Sequence, residues 1–107
     1  MKFYTYNQNN SGGAFTDPAK YVIIEADSPE EADERAEEHD LYFNGVDAGI
    51  DCKCCGDRWL HTWDDGTDKP EVYGEPPEKI KPIFRVEGIP VVVLLRKGAK
   101  EYEVLVP

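Results

Sequence analysis

The sequence predicts a small α+β domain of two layers, an antiparallel sheet with one main helix across a face. Three observations predict it. Two N-terminal stretches, Lys2 to Asn7 and Tyr21 to Glu25, are rich in aromatic and β-branched residues. A capped acidic segment over residues 28–39 has helical character, and two apolar runs after residue 90 are joined by a glycine-containing turn. With 107 residues the chain suffices for one core that buries roughly two thirds of its unfolded surface, so residues 1–107 read as a single domain.

In the first strand Phe3, Tyr4, Thr5 and Tyr6 alternate around polar neighbours, and Tyr21 to Glu25 is a β-branched run. Ser28-Pro29-Glu30-Glu31 then opens the helix. Ser28 is placed to accept from the amide of Glu31, Glu31 to reach back, and Pro29 to fill the first turn. The helix is expected over about 29–39, with Ala32 and Ala36 as a narrow apolar stripe against the sheet and its glutamates towards water. Residues 44–74 turn to Gly, Asp and Cys with isolated aromatics, which predicts loops and short strands. After the polar break Glu75-Pro76-Pro77-Glu78, strands are expected at Ile83 to Val86, Pro90 to Leu95 and Glu101 to Val106, the last two forming a hairpin around Lys97-Gly98.

The net charge of −10 is unevenly placed. Residues 1–78 hold nineteen acidic and six basic side chains, and residues 79–107 hold three acidic and six basic ones. Such a balance repels a phosphate backbone and disfavours general nucleic-acid binding, while suiting a basic partner or mimicry of nucleic acid towards one; it also simply keeps a small protein soluble. No apolar run approaches the ~20 residues of a membrane span and no signal-peptide core is visible, so a cytoplasmic setting is expected. Thiols stay reduced there, and the three cysteines are read as metal ligands, catalytic thiols or packed core residues before disulfides.

Those cysteines lie in Asp51-Cys52-Lys53-Cys54-Cys55-Gly56-Asp57-Arg58-Trp59. Cys52 and Cys55 have the spacing of a zinc knuckle, with Gly56 to keep the turn tight. One knuckle is half a site, and the ligands left to complete it are His61, His39, Cys54 or a carboxylate such as Asp57. The same C-x-x-C admits a redox pair. Residues 88–98, Gly88-Ile89-Pro90-Val91 through Gly98, locally resemble the thioredoxin segment in which a cis-proline opens a hairpin facing the catalytic cysteines. Here, however, the cysteines neither follow a buried strand nor open a helix whose N-terminus stabilises a thiolate. Reduced thiols packed with Trp59, Trp63 and Tyr73 are the third reading.

No nucleophile and base pattern is recognisable, and Asp64, Asp65 and Asp68 lack the spacing of a calcium loop, so no catalytic residue is assigned. Binding chemistry is better represented. Gln8, Asn9, Asn10, Ser11, Gly12 and Gly13 bring amides, a hydroxyl and glycines whose backbone can approach a ligand or nest an anion, although a plain hairpin loop has the same composition. Arg58 beside Trp59 has the chemistry to grip a phosphate while the indole stacks on a base; an ion pair with a neighbouring carboxylate is the simpler alternative.

The ordered set Tyr6 to Gly13, Tyr42 to Gly49, Cys52 to Trp59 and Asp65 to Asp68 resembles a family of small uncharacterised tailed-bacteriophage proteins over roughly residues 1–75. The resemblance implies an accessory protein acting in the host cytoplasm, non-catalytic and directed against a host defence. Two mechanisms follow from it. In one, a pocket, placed within a chain or between subunits of a homo-oligomer, sequesters a small nucleotide-like signal between the 8–13 cradle and the Arg58-Trp59 clamp. In the other, the acidic face occupies a basic site on a host protein.

Overall fold

The structure, a computed structural model, describes residues 1–8, 19–39, 41–43, 45–49, 56, 59–60, 66–72, 74–80 and 90–107. Alternation governs its first strand, β1 (Lys2–Gln8), in which Tyr4, Tyr6 and Gln8 are buried and the residues between them half-buried. It pairs antiparallel with β2 (Tyr21–Ala26) from Lys2 opposite Ala26 to Asn7 opposite Tyr21. The helix α1 (Pro29–Glu38) follows, and then the two-residue strand β3 (Trp59–Leu60) on the outer side of β1. Among the described residues the hairpin β4 (Val92–Leu95) and β5 (Glu103–Val106) completes a five-stranded sheet in the order β3-β1-β2-β4-β5.

One pairing overturns the expected antiparallel sheet. β4 runs parallel to β2, with Tyr21 opposite Val92 and Ile24 opposite Leu95, so the sheet is mixed. A parallel neighbour needs a long crossover, and α1 with the segments after it supplies one. The sequence carries the trace of this arrangement: all four residues of β4 are buried, the uninterrupted apolar run of a strand covered on both faces. Val93 and Leu95 join Tyr4, Tyr6, Val22, Ile24 and Trp59 beneath the helix. Val92 and Leu94 join Ile23, Val106 and Val72 on the other face, which the irregular stretches around Val72 and Ile80 cover. The strand expected at 83–86 lies outside the described residues, as does much of the Cys/Gly/Asp-rich segment 44–74.

The helix begins as its sequence requires. The Ser28 hydroxyl accepts from the Glu31 amide at 3.1 Å, and Ala32 and Ala36 are fully buried, their small side chains letting the helix lie close on β2. The Glu31 carboxylate, expected to close the capping box, instead lies 3.2 Å from the Lys97 ammonium. Lys97 also pairs with Asp27, a hydrogen bond that holds the Asp27 carboxyl below and the lysine above their ordinary pKa values. Arg35 donates to the carbonyls of Arg96 at 3.1 Å and Ala99 at 2.5 Å. The turn between β4 and β5 is thereby strapped to both ends of the helix.

On the sheet side, the fully buried Tyr6 hydroxyl donates to Asp33 Oδ1 at 2.6 Å. Burial, reinforced by that acceptor, raises the phenol pKa well above its ordinary value near 10. The folded protein therefore keeps a proton that the unfolded chain releases. This contribution is whole below about pH 10 and is lost as pH rises further, at about 1.4 kcal/mol per pH unit. Tyr6→Phe is expected to be less stable at neutral pH by about 1 kcal/mol, with the gap to the native protein shrinking from about pH 10 upward. Urea midpoints followed by circular dichroism across that range check it, and a gap that does not change with pH contradicts it.

Candidate functional site

The sheet end where β1 finishes is also where β2, β3 and β4 begin, and chain segments outside the described residues enter and leave there. β1 leaves at Gln8, whose amide donates to the Lys20 carbonyl at 3.1 Å. Its side-chain Nε2 donates to the carbonyl of the fully buried Ala19 at 3.0 Å. These two bonds join the residues that flank 9–18 in sequence. Beside them, Trp59 stands directly opposite Gln8 and Leu60 opposite Asn7. On the other side the Lys20 amide donates to the Pro90 carbonyl at 3.4 Å, and the Tyr21 amide to that of Val91 at 2.9 Å.

The anchors of three stretches therefore share one sheet end: 9–18, the stretch ending at Arg58, and 81–89. Each has charged or hydrogen-bonding side chains suited to a polar ligand. The first contains Asn9, Asn10, Ser11, Gly12 and Gly13, the second Lys53 and Arg58, and the third Lys81 and Arg85. Lys20 adds a cation among the described residues, its ammonium 5.0 Å from the centroid of the Tyr21 ring. In a chain of net charge −10, an anion is held only where cations are gathered locally.

Two of the residues assigned to ligand contact from the sequence take different positions. Gln8 is 2% exposed and its side-chain amide is engaged with the Ala19 carbonyl. Trp59 is also 2% exposed and packs in the core beneath the helix, which leaves its indole no open face for stacking on a base. The remaining candidates, Asn9, Asn10, Ser11, Gly12, Gly13 and Arg58, lie outside the described residues, as do Cys52, Cys55 and His61. Among the described residues no three His, Cys, Asp or Glu side chains gather as a metal-binding group, and no helix is long and apolar enough to cross a membrane.

Sequence reasoning did not bring Lys20 and Pro90 together. The signal was present in the basic bias after residue 79, but nothing in one dimension tied that bias to the 8–13 stretch. The parallel pairing of β2 with β4 ties them, because it sets Lys20 beside Pro90.

No curated protein matches the chain significantly, and no solved structure does. A match to a family pattern runs from residue 1 to residue 102, through the basic stretch after residue 79 and as far as the turn before β5. The chain belongs to the family described as Domain of unknown function (DUF7296).

Proposed function

We propose that this chain is a non-catalytic binding protein that sequesters a small anionic, nucleotide-like molecule at the sheet end anchored by Gln8, Lys20, Trp59 and Pro90. The observation that supports this reading is that Gln8 and Ala19, Trp59 and Pro90, the described residues next in sequence to 9–18, Arg58 and 81–89, lie at one sheet end. The 9–13 stretch supplies hydrogen bonds, Arg58 with Lys81 and Arg85 supplies charge, and Gln8 and Trp59 act beneath them as supports. In an infected host cell, the setting the phage resemblance implies, the ligand is a defence signal.

Protein purified from cells with a nucleotide-signalling defence induced, then heated, should release the ligand for mass spectrometry at about one copy per site. A ligand at 100 times its dissociation constant adds about 2.7 kcal/mol of stability. Arg58→Ala is expected to abolish this gain without unfolding the apo protein, and Asn10→Ala to weaken binding by about 1 kcal/mol. An empty release fraction, with no thermal shift across cyclic and ADP-ribose-type nucleotides, overturns the reading.

A second reading has its own support: Glu30, Glu34, Glu37 and Glu38 of α1 are all exposed, while Ala32 and Ala36 face the sheet. That acidic face fits a basic site on a host protein, with binding that weakens as salt screens charges over about 10 Å at 0.1 M. Changing the four glutamates together to Gln should abolish such binding at unchanged stability. Retained activity of that variant in infected cells identifies the helix face as solvated surface only.

A further inference from the structure

Across the sheet from the helix, a cleft of about 380 Å³ lies between the tail of the β4–β5 hairpin and the irregular segment that covers this face. It does not involve the sheet end proposed above. Leu94, 1% exposed, and the half-buried Leu105 contribute apolar surface. Pro70, Pro76 and Pro77 contribute more, as rigid rings that bring no amide N–H. The charged groups of the lining are Lys69, Arg96 and Glu71, two cations against one carboxylate in a chain of net charge −10.

The segment carrying Lys69 to Glu71 is fastened at several points. Thr67 exchanges backbone bonds of 2.8 and 2.9 Å with Phe3, the Thr67 hydroxyl donates to the Lys69 carbonyl at 2.7 Å, and the Thr5 hydroxyl donates to the Glu71 carbonyl at 2.6 Å. Beyond it, a single 3-10 turn (Pro77–Lys79) packs near β5, with the Ile80 amide bonded to the Pro77 carbonyl at 3.0 Å. These bonds fix the wall independently of any ligand, so the cleft is preformed. Arg96 is oriented too. Its Nε and one terminal nitrogen each lie 3.4 Å from a Glu103 carboxylate oxygen, which leaves the other donors of the guanidinium for a second anion.

We infer that this cleft is a binding site for a small amphipathic carboxylate, its apolar body on Leu105 and the proline rings and its anion met by Arg96 and Lys69. The prolines offer the body contact without competing for its hydrogen bonds. Lys69 and the Arg96 donors not turned to Glu103 offer a carboxylate charge-assisted hydrogen bonds that a neutral apolar compound does not return.

Decanoate and 3-phenylpropanoate are suitable probes, with decan-1-ol as the neutral control, titrated into the full chain and followed by the amide shifts of Glu71, Leu94 and Leu105. Saturable shifts confined to this cleft are expected with at least one carboxylate, and about tenfold weaker binding of the alcohol. Arg96→Gln, at an exposed position, should raise the dissociation constant about tenfold with the melting temperature little changed, and Lys69→Gln should act in the same direction. Arg58→Ala should leave these titrations unaltered, which separates this site from the nucleotide one. Absence of saturable shifts with both carboxylates overturns the inference. So does equal affinity for decan-1-ol, or indifference to Arg96→Gln.

Discussion

Trp59→Ala is expected to destabilise the fold by about 3–5 kcal/mol, the loss typical of a large aromatic removed from a core. In a domain of about this size that lowers the melting temperature by more than about 12 °C. The indole is among the largest fully buried side chains and packs with Tyr4, Tyr6 and the helix alanines. It also anchors β3, an edge strand of only two residues whose other member, Leu60, is 44% exposed. Without it the stretch ending at Arg58 loses its attachment to β1, so ligand binding should fall together with stability. Trp59→Phe should recover part of both. Thermal melts of the two variants, read beside ligand retention, separate support from contact. A Trp59→Ala protein of native stability that has lost only its ligand would restore the indole as a direct clamp.

Gly66→Ala is expected to cost about 3 kcal/mol. The residue has φ of +84°, and a Cβ added there would lie 2.8 Å from Lys2 Cβ and 2.9 Å from the Tyr4 ring. Left-handed backbone costs a residue with a side chain about 1–2 kcal/mol, and overpacking adds about 1–3 kcal/mol. Neither neighbour moves easily, since Lys2 Cβ is held by the backbone of β1 and the Tyr4 ring is buried. Gly98→Ala is the matched comparison, with φ of +79° and nothing within 4 Å of the added Cβ. It should lose only the backbone part, about 1 kcal/mol. Urea unfolding of the pair measures the difference, and equal losses would show that the close approach of the 66–68 turn to β1 is not maintained.

The local elements were legible because their causes are local. Ser28 and Pro29 mark the helix start, Ala32 and Ala36 its buried stripe, and Lys97-Gly98 the hairpin turn; each acts over a few residues and each is found where its chemistry predicts. Pairing direction is different. The alternation of a strand shows which side chains share a face and is silent on the strand beside it, so the parallel partnership of β2 and β4 could not follow from either strand's residue types. Its one trace was the four-residue apolar run of β4, which a hairpin strand shares.

The candidate site divides along the same line. Residue chemistry by itself identified which stretches carry amides, glycines, thiols and guanidinium groups, because those properties belong to each residue alone. Burial belongs to the packed molecule. Gln8 and Trp59 have the chemistry of ligand contacts, but the register of β1 with β3 and the bond from Gln8 to the Ala19 carbonyl turn both inward. The same long-range pairing, through backbone bonds between residues seventy positions apart, brings Lys20 beside Pro90 and Tyr21 beside Val91. Composition and spacing thus determined the helix, the hairpin and the inventory of binding groups. Tertiary structure alone decided which of those groups support and which segments meet, since both depend on contacts whose partners are distant in the chain.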